Sequence, residues 1–140
     1  MLYQLLKSSY IARNEEEILA VLCDSVLAIL DSTTQLNSEQ KTRALYFSYN
    51  LCSCEECQKE CGAHINKRGQ IRISKRIFHK ILNQEAPSQI GLHELMYTIF
   101  HQILHGIFPE HKEKIIIEKT EQAWKSGITQ LTKEKLHYNN

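Results

Sequence analysis

The stretch Phe100-His-Gln-Ile-Leu-His-Gly-Ile-Phe-Pro-Glu-His-Lys-Glu113 decides how the rest of this chain is read. His101 and His105 stand at i and i+4, one turn apart on the same side of a helix, so both imidazoles can close on one metal ion. His111 follows six residues after His105, just past a proline. A third ligand there would complete a three-ligand site with an open fourth position, which is what a catalytic zinc requires. A helix-borne zinc hydrolase carries glutamate directly after the first histidine, as general base. Here that position is Gln102.

Working outward, the histidines fall on a helix expected from about Ser88 to Phe108. Leu95, Ile99, Ile103 and Phe108 give it an apolar side, and Gly106 leaves room beside His105. Pro109 stops it, because the residue before a proline is pushed out of helical conformation. An isolated H-x-x-x-H also occurs on ordinary core helices, and the third histidine is what favours metal. His93-Glu94 begins a frame-shifted near-match, but Tyr97 replaces its second histidine. His93 lies two turns from His101, roughly 12 Å of rise, too far to share an ion. It reads as a surface residue or a support of the site.

A last helix spans roughly Lys112 to Leu131. The 3.6 period places Ile117, Glu121, Trp124, Ile128 and Leu131 on one face, so Glu121 would sit among buried residues and need a partner. Glu118 lines up with Lys114, Gln122 and Lys125 on the polar side. His111 is the first choice for third ligand, with Glu121 and Glu113 as alternatives.

Upstream, Gly69–Ser74 alternates as a short strand with Ile71 and Ile73 inward, and residues 75–83 form a short helix or turn. Before them, Cys52, Cys54, Cys57 and Cys61 lie within ten residues, followed by His64. Cysteines two to four apart suit a compact structural zinc knuckle, with His64 as a substitute ligand; free thiols in a polar loop are the alternative. Arg43–Asn50 is rich in strand formers. The first 31 residues look helical, with Asn14 as cap, an acidic first turn at Glu15-Glu16-Glu17, and Ile18, Leu22, Val26 and Ile29 inward. Cys23 in this helix reads as a small core residue. The order predicts one α+β domain over residues 1–140: helix and strand to 50, a cysteine-rich knuckle over 51–66, and a metal-binding core over 69–131.

Composition sets outer limits. The 140 residues are 42% apolar and 24% charged, with a formal net charge of +1. That is one globular domain with material for a core and no global field toward nucleic acid or an anionic membrane. Nucleic acid is therefore disfavoured as a partner. The N-terminus lacks a secretory signal pattern, and the longest oily stretch, residues 90–109, carries Glu94 and three histidines. The expectation is a cytoplasmic protein away from membranes, whose clustered cysteines bind metal more readily than they form disulfides.

With these residues in view, the chain resembles the small single-domain zincins over roughly residues 70–124. The shared features are an N-terminal helix, a strand reading G-x-I-x-I-S and a helix with H-x-x-x-H. SprT-like minimal proteases place a third histidine six residues after the second, as His111 stands. The minigluzincins continue much as His105-Gly-Ile-Phe-Pro-Glu110 does, then take a glutamate from the next helix. The resemblance implies zinc-dependent peptide-bond hydrolysis, with a peptide or protein substrate extended along the edge strand Ile71–Ser74 and residue 102 taking the proton. Gln102 departs from both branches, since an amide cannot accept a proton at neutral pH. It marks either an inactivating substitution in an otherwise intact protease or a pseudo-enzyme. The rival class is a metal-stabilised peptide-binding or regulatory protein without catalysis.

Overall fold

Glu15, Glu16 and Glu17 open the first helix, α1 (Glu15–Ser32), where acidic side chains suit the positive end of the helix dipole. The computed structural model describes residues 15–54, 62–82 and 89–138. Asn14 and the segment before it, expected to be helical, lie outside the described residues. Ile18, Leu22, Val26 and Ile29 are buried, as their spacing predicts. Cys23 is buried beside them, and burial pushes its thiol up to about 12, with the charge of Asp24 adding to the effect.

A second helix, α2 (Ser38–Leu45), occupies ground expected to be loop and strand. Asn37 caps it through a reciprocal pair: Gln40 N–H donates to Asn37 Oδ1 (2.9 Å), and Asn37 N–H donates to Gln40 Oε1 (3.0 Å). The strand-forming run Arg43–Asn50 is therefore split. Arg43, Ala44 and Leu45 are helical, and strand β1 runs Ser48–Cys52. Arg43 also donates to the carbonyl of Ile107 (3.2 Å), one of the orphan acceptors at the end of the histidine helix.

Strands β2 (Ala63–Ile65) and β3 (Gln70–Ser74) form a hairpin, and β3 also pairs in parallel with β1. The sheet order is β1-β3-β2. Thus β3, expected to be the edge strand that takes substrate, is the central strand with both edges paired. Among the described residues, the unpaired edge beside the histidines belongs to β2. Ile71 and Ile73 face the core, and the other side of β3 presents Gln70 and Arg72. Helix α3 (Lys75–Leu82) follows at once, tied to α1 by Glu15, whose carboxylate meets His79 and Lys75.

The histidine helix α4 (Gln89–Ile107) is the axis of the molecule, and α5 (Glu113–Tyr138) returns alongside it and α1. Leu92, Leu95, Met96, Ile99, Phe100, Ile103, Leu104 and Ile107 bury most of the circumference of α4. Trp124 of α5 receives His93, Tyr97 and Phe100 edge-on, with ring centroids 5.2–5.4 Å away. Two glycines set how closely elements approach. A Cβ on Gly106 would lie 2.6 Å from Ile65 Cδ1 and from Phe47 Cζ, so the room beside His105 is filled by the sheet. A Cβ on Gly127 would lie 2.3 Å from the Ile29 carbonyl oxygen, where α5 crosses α1. The result is a small α+β domain, and among the described residues no helix is long and apolar enough to cross a membrane.

Candidate metal centre

Because α4 is buried nearly all round, its half-buried stripe is narrow and carries His101, Gln102 and His105. The turn at Phe108–Lys112 reverses the chain and brings the first residue of α5 back over that stripe. His101 Nε2 lies 2.8 Å from Glu113 Oε1, His105 Nε2 lies 2.7 Å from Glu113 Oε2, and the two Nε2 atoms are 3.2 Å apart. These three residues are, among the described ones, the group of histidine, cysteine and acidic side chains that could hold a metal ion.

One hydroxyl fixes how His101 presents itself. Thr120, fully buried on α5, donates its single hydroxyl hydrogen to the carbonyl of Ile116 (2.6 Å). Toward His101 Nδ1, 3.0 Å away, Thr120 Oγ1 must then accept. The neutral ring carries its proton on Nδ1, and the Nε2 lone pair faces His105 and Glu113. A histidine ligand whose other nitrogen donates to an oxygen is the usual arrangement around a bound metal.

The donor set fits an ion. Zinc bonds of ~2.0–2.1 Å put neighbouring donors of a tetrahedron roughly 3.3 Å apart. The Nε2 pair at 3.2 Å is already there. Glu113, whose side chain is 59% exposed, needs to withdraw by about half an ångström, which an unpacked carboxylate can do.

The other expected ligands fall elsewhere. His111, the first choice as third ligand, is replaced by Glu113 in the converging group: its ring stacks on Phe108, centroids 5.0 Å apart, and its Nε2 lies 3.8 Å from Glu110. Glu121 is exposed, because the buried face of α5 runs through Ile116, Thr120, Ala123 and Trp124, one residue out of phase with the expected one. Ile117 is accordingly half exposed, and Glu118 is solvated as expected. His93 and Glu94 are exposed and away from the site. Thr120 was not anticipated. Its signal was its position seven residues after Glu113, two helical turns on, hence the same face.

Gln102 lines a cleft of about 540 Å³ together with His64, Ile65, Lys67, His105 and Glu113. Ser74 N–H bonds the carbonyl of Gly62 and Asn66 N–H that of Gln70, so the amide of Ile65 points off the free edge of β2. Gln102 Oε1 accepts it at 3.1 Å. Gln102, next in sequence to His101, is thus bonded to the strand that borders the cleft.

His64, offered as a substitute ligand for the cysteines, lines this cleft. Cys52 and Cys54 have their sulfurs 3.2 Å apart, too far for a disulfide bond. Cys57 and Cys61 lie outside the described residues. Comparison with protein-family models, curated proteins and solved structures finds no match to this chain.

Proposed function

We propose that this chain is a zincin-type zinc domain shaped for peptide-bond hydrolysis and kept from it by Gln102. The observation that carries the reading is the convergence of His101, His105 and Glu113, from two helices, at one point beside a cleft. Two imidazoles and a carboxylate are a donor set of catalytic zinc, leaving a fourth position for water or substrate. A glutamate from the helix after the motif is also what the minigluzincin resemblance implies, and it leaves His111 without a ligand role. Zinc bound there would polarise a peptide carbonyl and acidify water.

The chain's own residues supply the setting. Thr120 holds His101 in its ligating tautomer. The free edge of β2, in place of β3, borders the cleft where an extended peptide would lie. Gln102 orients by hydrogen bonding but cannot take a proton, and loss of a positioned general base costs ~10²–10⁴-fold in rate. The proposal includes a second, structural zinc on Cys52 and Cys54, with Cys57 and Cys61 supplying further thiols, and a reducing compartment that keeps them available.

Gln102→Glu is nearly isosteric and tests the catalytic part. With zinc, the variant is expected to cut unfolded protein or members of a peptide library at least ~10²-fold faster than the parent, in a chelator-sensitive way. A second reading has its own support: the Gln102 side chain is engaged by Ile65 N–H, a structural use of the residue that suits a metal-stabilised peptide binder without catalysis. If Gln102→Glu binds zinc normally yet cleaves nothing, the binder is the better description.

A further inference from the structure

Charge along this chain is segregated in a way that the net value of +1 conceals. Residues 62–82 hold Lys67, Arg68, Arg72, Lys75, Arg76 and Lys80 and no aspartate or glutamate. Two of these cations, Lys67 and Arg68, sit in the turn between β2 and β3, both exposed. The turn is braced by Asn66, whose Oδ1 accepts from Arg68 N–H (2.9 Å) and Gln70 N–H (3.1 Å). Lys67 forms part of the cleft wall, with His64 beside it on β2. Among the described residues Glu113 is the carboxylate that lines the cleft, and both its oxygens face the histidines. Among the described residues that line the cleft, then, Lys67 is the charged side chain not turned to the histidines, and Arg68 adds a second cation beside it.

We infer that the cleft selects acidic polypeptide, taking glutamate- or aspartate-rich segments against Lys67 and Arg68. This rests on the reading of the cleft as a peptide site and names its substrate class. An extended peptide has an amide backbone for the edge of β2 and alternate side chains that reach the turn. Nucleic acid affinity grows with the number of phosphates neutralised, and a rim of two cations is a small footprint for it.

The geometry also supplies a control. Arg76 and Lys80 of α3 are exposed like Lys67 and Arg68 but lie beyond the far end of β3, whose five residues span roughly 17 Å. That exceeds the Debye length of about 8 Å at physiological salt, so rim and α3 charges act separately there.

The experiment measures binding by fluorescence anisotropy on the unaltered chain, whose Gln102 prevents turnover. Dodecapeptides of matched length, acidic, neutral and basic, each carry a neutral dye; a single-stranded DNA dodecamer is the fourth probe. The acidic peptide is expected to bind at least about tenfold tighter than the neutral one at 50 mM salt and to lose most of that advantage at 500 mM. K67E/R68E should reverse the order in favour of the basic peptide, and R76E/K80E should leave it unchanged. Zinc binding by K67E/R68E, equal to that of the parent, verifies that the domain stays folded. Equal affinity for acidic and neutral peptides, an equal loss in R76E/K80E, or preference for DNA over the acidic peptide would overturn the inference. None of these readouts depends on cleavage, so an inert Gln102→Glu leaves the charge preference standing, and loss of the preference leaves the metal site standing.

Discussion

Thr120 has one hydroxyl hydrogen and two neighbours within reach, and the carbonyl of Ile116 takes it. The tautomer in which His101 would meet a metal ion follows from that donation. Thr120→Val keeps the shape and removes the acceptor for Nδ1–H, so zinc affinity is expected to fall ~10–100-fold, the usual effect of losing a partner behind a ligand. Thr120→Ser should restore it. By the same logic Glu113→Gln should weaken zinc strongly, and His111→Ala should leave it within about twofold, since His111 stacks on Phe108 away from the donors. Isothermal titration with zinc ranks all four variants. A loss in His111→Ala matching that in Glu113→Gln would move the third ligand back to the histidine.

Among the elements, α5 packs one residue out of phase with its apolar spacing for a physical reason. Ile115, Ile116 and Ile117 run consecutively, and such a run satisfies several faces of a helix at once. Packing chose Ile116, and with it Thr120 and Trp124, which carried Glu121 out to solvent. The α2 helix is a different case. Its capping pair, Asn37 with Gln40, stands in the sequence and prevails over the strand propensity of Arg43–Asn50 as far as Leu45. The loop after β1 belongs to this scale too. Cys52 ends β1 opposite Ser74, and Ser74 N–H in turn holds the carbonyl of Gly62, so both ends of the cysteine segment are fastened to one residue of β3. If that segment binds zinc, removing metal loosens the sheet from this end. Zinc content should fall by one ion per chain in C52S/C54S, with a melting temperature lowered part of the way to that of the chelator-treated parent, which loses both ions. Unchanged zinc and unchanged melting would assign these sulfurs as ordinary thiols.

For the whole molecule, a buried thiol and a half-buried phenol make stability depend on pH. Burial, then Asp24, pushes Cys23 from 9.0 up to about 12, and burial together with Cys23 raises Tyr49, whose hydroxyl donates to the carbonyl of Ala44 (3.0 Å). Both are neutral in the fold and ionise more readily when it opens. Their contribution is therefore fully present below about pH 9 and is lost as pH climbs toward the folded values. Denaturant midpoints measured in chelator should be level from pH 7 to 9 and fall above it. Cys23→Ala should flatten the first part of that fall. A parent midpoint unchanged to pH 11 would contradict the burial of these groups.

The helix with its paired histidines, its stop at Pro109, the inward faces of α1 and β3, and the α+β class can all be read from the residues in order along the chain. These rest on local rules: a period of 3.6 or 2, a proline that ends a helix, a capping acid. Spacing alone put His101 and His105 on one face, because four residues make one turn whatever surrounds them. What meets that face depends on long-range packing. The third donor depends on the path of the turn at Phe108–Lys112 and the rotation of α5, neither of which has a local signal strong enough to fix it. Strand order likewise placed β2 beside the site and β3 at the centre, through pairings set by contacts far apart in the chain. Gln102 joins the two levels: its identity is written in the sequence, and its engagement with Ile65 exists only because α4 packs against the edge of the sheet where Gly106 lets it come close.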